Sequence, residues 1–239
     1  MASAIVVGGS GRMGRLVCEE LLARGFDVVG SYDVDNIDEL DGSAPAADVA
    51  VDFSAPASLP HTLAYARRTG AAVVSGTTGL SEDQLGELRA LGEKNRVIWA
   101  SNYSLGVAAL RRATAMVART LDGWDVEIVE THHNQKVDAP SGTAKALLVA
   151  VDPTGERPVV GGREGIVGAR VPGEIGMHAV RGGTVAGTHE VHFFGTDEEV
   201  CLTHRAVSRQ IFVTGAVAAA ARLLTREPGF YDFDTLMFD

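Results

Sequence analysis

The chain has 239 residues, enough to bury a sizeable core in one large domain or two small ones. Its hydrophobic fraction of 46% is ordinary for a soluble globular protein, and no apolar run approaches the ~20 residues that a membrane helix needs. A net charge of −10 without any basic run repels phosphate backbones and argues against a nucleic-acid partner.

The opening MASAIVVGG enters a strand-like run with no basic leader, so no signal peptide is expected. Cys18 and Cys201 sit far apart in apolar segments, which reads as two reduced, buried thiols in a cytoplasmic protein. Residues 4–7 form a short apolar strand that leads into GGSGRMG at residues 8–14. A helical pattern follows, with Met13, Leu16, Val17 and Leu21 on one face, and then a strand over 26–31 that ends in Tyr32-Asp33.

Strand, glycine turn, helix, strand and acid in that order is the pattern of a dinucleotide site. The glycines fit G-x-G-x-x-G at Gly9, Gly11 and Gly14, and a second spacing counted from Gly8. A side chain at the turn would keep a pyrophosphate from the helix N-terminus, whose N–H groups and dipole attract anions. Asp33 stands where a carboxylate can accept from an adenosine ribose and would repel a 2′-phosphate, which favours NADH. Arg12 in the phosphate turn keeps NADPH possible.

Alternation continues with a strand over 48–53, a helix over 59–69 and a strand over 71–74 running into SGTTGL. A helix over 81–95 opens on a capping box of Ser81 and Gln84, and a strand over 97–100 precedes Ser101-Asn102-Tyr103-Ser104. Strand ends at Ser54, Gly76 and Ser101 would line the carboxyl edge of one parallel sheet, where open α/β folds bind ligands. Gly76, Thr77 and Thr78 are candidates for backbone contacts to the nicotinamide end.

After a helix over 105–121, residues 125–132 alternate like a half-buried strand. The segment VETHHNQKVDAPSGTA at 129–144 then concentrates two histidines, a lysine, an aspartate and a Ser-Gly-Thr helix start. His132 shares the parity of Val126 and Ile128, and His133 would point the opposite way unless the strand ends there. Ser141, Gly142 and Thr143 offer N–H and hydroxyl donors at the start of a helix over 144–151, and Lys136 brings a positive charge toward them. An anionic substrate, a carboxylate, fits that pair.

Residues 152–183 are rich in glycine and charge and read as short strands and a mobile loop. Two strands over 188–194 and 199–207 form a hairpin around Gly195-Thr196-Asp197, a helix covers 210–224, and 231–238 return to the first domain. The expected fold is α/β: an N-terminal Rossmann-type parallel sheet domain over 1–104, completed by about 212–239, and a C-terminal α+β domain with a mixed or antiparallel sheet over 105–211.

These motifs resemble the bacterial dihydrodipicolinate reductase family across nearly the whole chain. The likeness runs through GGSGRMG, SGTTGL, ASNYSLGV at 100–107 and ETHHNQKVDAPSGTA at 130–144. It continues through RGGTVAGTHEVHF at 181–193 and SRQIFVTGA at 208–216. The resemblance implies NAD(P)H-dependent reduction of 4-hydroxy-tetrahydrodipicolinate, a cyclic dicarboxylate, in diaminopimelate and lysine biosynthesis. It implies that His132 is the catalytic acid/base, that Lys136 is a proton donor and carboxylate partner, and that His133, Gly142 and Thr143 bind substrate. Gly8, Gly9, Ser10, Gly11, Arg12, Met13, Asp33, Gly76 to Thr78, Ala100, Ser101, Asn102 and Tyr103 fall to the cofactor, and a homotetramer would assemble through the C-terminal sheets. Two other classes stay open: a hydrolase using His132 or His133 with Ser141, and a non-catalytic NAD(H)-binding sensor. A metal on His132, His133 and Asp138 is disfavoured because adjacent strand histidines diverge, so no metal is expected.

Overall fold

In the computed structural model, which describes residues 1–239, strands and helices alternate from the first residues onward. In chain order they are β1 (Ser3–Val7), α1 (Arg12–Ala23), β2 (Asp27–Tyr32), β3 (Val49–Asp52), α2 (Leu59–Thr69), β4 (Ala72–Ser75), α3 (Glu82–Leu91) and β5 (Arg96–Trp99). There follow α4 (Leu105–Thr120), β6 (Asp125–His132), α5 (Gly142–Val151), β7 (Val159–Val160), β8 (Ile175–Arg181), β9 (Gly187–Phe194) and β10 (Glu199–Ala206). The chain closes with α6 (Gln210–Leu223), β11 (Gly229–Tyr231) and α7 (Phe233–Phe238). Met1–Leu105 with Gln210–Asp239 make one compact unit and Gly106–Arg209 a second.

The first unit is built on a six-stranded, wholly parallel sheet in the order β11-β5-β4-β3-β1-β2. Its central strands are apolar runs without alternation, and Ala4–Val7, Val49–Val51 and Ala72–Val74 are all fully buried. That is the signature of strands covered on both faces, which parallel sheets require. Strand order reverses between β1 and β3, so their carboxyl ends flank the crevice where such sheets take ligands. The capping box forms as the sequence implies: Gln84 N–H donates to Ser81 Oγ at 3.2 Å and Ser81 N–H to Gln84 Oε1 at 3.0 Å. α3 nevertheless stops at Leu91, because residues 92–95 close in tight turns. The Asn95 amide then donates to Ala66 O and Ala71 O, both at 3.0 Å.

The second unit carries a mixed five-stranded sheet, β10-β9-β6-β8-β7. β6 pairs in parallel with β8 and antiparallel with β9. Alternate residues of β6 are buried, and Val126 and Ile128 pack with Leu110, Leu147, Ile175, Met177, Val191 and Phe193. The β9–β10 hairpin forms around Asp197, which holds a positive φ of 64°.

Two expectations need correction here. Residues 152–183 contain not only short strands: β8 is a regular seven-residue strand beside β6. Its pattern is weak because Gly176 stands where the Glu127 carboxylate lies, so a Cβ there would come within 1.6 Å of Oε2. The segment before it is tied down by Arg163 and Arg170, which both pair with Glu127, and by Arg163 Nη2 to Glu174 Oε1 at 2.6 Å. The thiols are free but not buried: Cys18 is half-buried, and Cys201 is exposed because it alternates with Val200 and Leu202 on β10, an edge strand.

Candidate active site

In the first unit the turn after β1 is shaped by what its glycines allow. Gly8 has φ of 83°, and a Cβ there would meet Phe53 O at 2.7 Å. A Cβ on Gly9 would meet Ser31 Oγ at 1.9 Å, and one on Gly14 would meet Gly8 O at 2.0 Å. α1 therefore packs directly against the turn. Its N-cap, Gly11, supplies no side-chain cap, so the first-turn N–H groups are left to an external acceptor. Ser10, Gly11 and Arg12 are exposed and Met13 is half-buried. A cradle closed to side chains and fringed by N–H donors suits a pyrophosphate.

Asp33, just past β2, accepts from Ser10 N–H on Oδ2 at 2.9 Å, and its own N–H donates to Asn36 Oδ1 at 2.8 Å. The carboxylate thus braces the glycine turn with one oxygen. At the next strand ends, Gly76 abuts the Phe53 ring, where a Cβ would approach to 2.3 Å. Thr77 is buried and donates its hydroxyl to Asp52 Oδ1 at 2.9 Å, while Thr78 is exposed. Asp52 itself is fully buried, and burial pushes its carboxyl up despite hydrogen bonds from Ser54 and Thr77.

Ala100 and Asn102 are half-buried and Ser101 is exposed. Tyr103 is different: its ring is core, edge-on to Phe233 at 5.2 Å, and its hydroxyl donates to Ser75 O at 2.8 Å. Its side chain and the Thr77 hydroxyl are thus engaged inside the sheet edge, leaving these two residues their backbone for a ligand.

In the second unit β6 ends at His132, so the histidine pair straddles the strand end. His132 is 8% exposed, as its parity implies, and His133 is half-buried. His132 Nδ1–H donates to Glu130 Oε2. Its ring stands edge-on to that of His189 at 5.1 Å. Its Nε2 faces Gly187, where a Cβ would lie 3.0 Å away. Lys136 Nζ pairs with Asp138 Oδ1 at 2.7 Å, and this ammonium holds the Asp138 carboxyl below its usual range.

Three residues here were not picked out from the sequence: Glu130, Arg181 and His189. Glu130 is fully buried and accepts from Arg181 Nη2 at 2.7 Å, Arg181 Nη1 at 2.9 Å and Ser141 N–H at 3.2 Å. Burial alone would raise its carboxyl, but Arg181 and His132 outweigh burial and hold it below its ordinary 4.5. Burial, with His132 beside it, pushes His189 down to about 4, which keeps that ring neutral at physiological pH. A glutamate on the buried parity of β6 was the legible signal for the first. Arg181 and His189 lie in a distant segment, and nothing in spacing pairs them with the histidine motif.

The DAPSGT turn opens α5 as the sequence implies, but two residues earlier, at Gly142. Ser141 is the N-cap, accepting Ala144 N–H at 3.2 Å, and its hydroxyl also meets His189 Nε2 at 3.2 Å. Both its polar groups are therefore turned inward, and it is 2% exposed. Ser141 thus shapes the helix start rather than offering its own donors, which fall to Gly142, exposed, and Thr143, half-buried. The hydrolase alternative loses its nucleophile by the same observation. Ligand atoms close enough to share a metal, within 4.8 Å, belong to His192, Glu199 and Cys201 on the hairpin rather than to His132, His133 and Asp138.

The chain matches two family models in succession: "Dihydrodipicolinate reductase, N-terminus" over residues 2–103 and "Dihydrodipicolinate reductase, C-terminus" over residues 106–237. It is 43% identical over 242 residues to a 4-hydroxy-tetrahydrodipicolinate reductase of Akkermansia muciniphila, covering 99% of this chain and 98% of the relative. A reductase of the same description from Natronomonas pharaonis is 40% identical over 243 residues, covering 97% and 98%. Among solved structures, a dipicolinate-bound dihydrodipicolinate reductase from Paenisporosarcina sp. TG-14 has a TM-score of 0.78 at 23% identity, covering 99% of this chain and all of that one, a likeness of fold. An amine dehydrogenase from Mycobacterium smegmatis shares the fold more distantly, with a TM-score of 0.62 at 15% identity over 98% of this chain and 95% of that one.

Proposed function

The chain belongs to the dihydrodipicolinate reductase family, and from that premise we propose that it reduces 4-hydroxy-tetrahydrodipicolinate to tetrahydrodipicolinate in diaminopimelate and lysine biosynthesis, with NADH favoured over NADPH. Supporting the chemistry is one observation above all: a buried histidine, an ion-paired lysine and an anion-attracting helix start stand on a single stretch, residues 132–143.

The reaction removes water from the 4-hydroxy compound, adds hydride at C4 of the conjugated imine and protonates the resulting enamine. When bound, the nicotinamide supplies the hydride. The first turn of α1 and Gly8 to Met13 hold the pyrophosphate, Asp33 the ribose, and Gly76 to Thr78 with Ala100 to Tyr103 the nicotinamide end through their backbone. Asp33 stands against a 2′-phosphate, which is the ground for favouring NADH; Arg12, exposed at the first position of α1, leaves NADPH a partner.

The start of α5, through Gly142 and Thr143, receives one substrate carboxylate, as helix N-termini receive anions. Lys136 pairs with a carboxylate as well, exchanging Asp138 for substrate, and with His132 supplies the proton. His133, at the strand end, contacts the ring. Residues 1–104 with 212–239 are then the cofactor domain, and 105–211 the substrate and oligomerisation domain of a homotetramer. A cytoplasmic enzyme is part of the same reading, and no helix is long and apolar enough to cross a membrane.

The substrate class is tested with pyridine-2,6-dicarboxylate, the planar dicarboxylate named with the solved relative. Calorimetry should give saturable binding to the wild type, weakened about tenfold or more by Lys136→Ala, as loss of a charge-assisted contact implies. No binding, or equal binding by the variant, would contradict the assignment.

A further inference from the structure

The buried carboxylate of Glu130 serves three partners, His132, Ser141 and Arg181, each at a different place in the chain. It sits on β6, has no exposed surface, and both oxygens are used. Oε2 accepts from His132 Nδ1 and from Arg181 Nη1, and Oε1 accepts from Arg181 Nη2 and from the N–H of Ser141, the N-cap of α5. Arg181 Nη2 also donates to Asp138 O at 2.7 Å, so the same pair ties down the turn between Lys136 and the helix start. The proposed proton donor and the proposed carboxylate seat are therefore registered by one buried group.

We propose that Glu130, backed by Arg181, is a positioning residue that fixes His132 as the Nδ1–H tautomer and holds the start of α5 at a set place beside it. This rests on the reductase reading for its consequence in turnover, but not for its geometry. A carboxylate can only accept, so the imidazole nitrogen facing it must carry the proton. The proton that His132 exchanges is then confined to Nε2, on the side where Gly187 leaves room. The other charged or titratable groups around this ring do not compete for Nδ1: His189 is engaged with Ser141, Lys136 with Asp138, and Arg181 with Glu130 itself. A carboxylate on Nδ1–H is a known way to set an imidazole's tautomer and orientation, and its amide replacement leaves the shape but not the tautomer. A purely structural ion pair would leave the tautomer indifferent to the substitution.

Glu130→Gln separates the two. The amide has one acceptor oxygen, which Arg181 takes, and its NH2 then faces Nδ1 as a donor, so the neutral ring moves its proton to Nε2. Imidazole 15N shifts should show Nδ1–H in the wild type and Nε2–H in the variant. kcat with enzymatically generated substrate should fall about 100-fold or more, within the span of general acid–base contributions, while NADH affinity stays within about threefold. Glu130→Asp, which keeps the acceptor and withdraws it by one methylene, should retain Nδ1–H and recover part of kcat. An unchanged tautomer in Glu130→Gln, with or without loss of turnover, overturns the proposal, and so does a variant turning over within about threefold of wild type. If the wild type reduces no such substrate yet the tautomer switches as described, the positioning role stands and the reductase reading falls.

Discussion

The same substitution, glycine to alanine inside a helix, should have opposite signs at Gly14 in α1 and Gly86 in α3. Alanine gains about 1 kcal/mol over glycine in a helix interior through lower backbone entropy in the unfolded chain. At Gly86 nothing lies within 4 Å of the new Cβ, and the residue is exposed, so the gain should appear undiminished, at roughly 0.5–1 kcal/mol. At Gly14 the Cβ would stand 2.0 Å from Gly8 O, 2.6 Å from Gly9 Cα and 2.7 Å from Gly8 C. All three are backbone atoms, so no rotamer relieves the clash and the glycine turn must move away from α1. Overpacking a tight interior costs about 1–3 kcal/mol and here belongs at or above the upper end, so it should beat the propensity gain and leave a net loss of about 2 kcal/mol. Urea unfolding followed by circular dichroism should move the Gly86→Ala midpoint up and the Gly14→Ala midpoint down, with NADH affinity reduced only for Gly14→Ala. A Gly14→Ala protein as stable as wild type and binding NADH normally would refute the reasoning about the turn.

Three further outcomes follow from the site. Arg181→Met strips Glu130 of its bidentate partner, and stranding a buried carboxylate should cost about 3 kcal/mol at neutral pH by urea unfolding. Because Glu130 is depressed in the folded state, its contribution is present above the unfolded value and lost as pH falls through the folded one. The gap between wild type and variant should therefore shrink in acid, and a gap that is constant or widens there would contradict the assignment. If Asp33 is the ribose acceptor proposed above, Asp33→Ala should raise the KM for NADH about tenfold while changing that for NADPH less, since the repulsion of a 2′-phosphate goes with it; steady-state kinetics with both cofactors reads this. Tyr103→Phe deletes the hydroxyl that donates to Ser75 O, a carbonyl still satisfied by Ala100 N–H at 3.2 Å, so unfolding should report a loss of only about 1 kcal/mol.

What the sequence made legible follows from how local each signal is. The glycine turn, the α2 span, the Ser81–Gln84 cap and the β9–β10 hairpin all depend on residues within a few positions of one another, and they formed as read. β8 escaped notice because its pattern is set by a partner 49 positions away in pairing, where Gly176 lies opposite Glu127 and gives up its side chain to the neighbour's carboxylate. The thiol of Cys201 was misjudged because an apolar neighbourhood in sequence, Val200 and Leu202, occupies the other face of the strand. In the site, His132, Lys136 and the α5 start were visible as a dense motif. The inward turn of Ser141 was not, since its partners are Glu130, 11 positions earlier, and His189, 48 positions later.

The most direct measurement is NADH oxidation with substrate generated in situ from pyruvate and aspartate semialdehyde by the synthase that condenses them, repeated with NADPH and with His132→Ala and Lys136→Ala. Oxidation that requires the synthase product, runs faster with NADH and falls at least about 100-fold in either variant is the expected result. Cofactor consumption indifferent to that product, or either variant at near-normal turnover, would contradict the central claim.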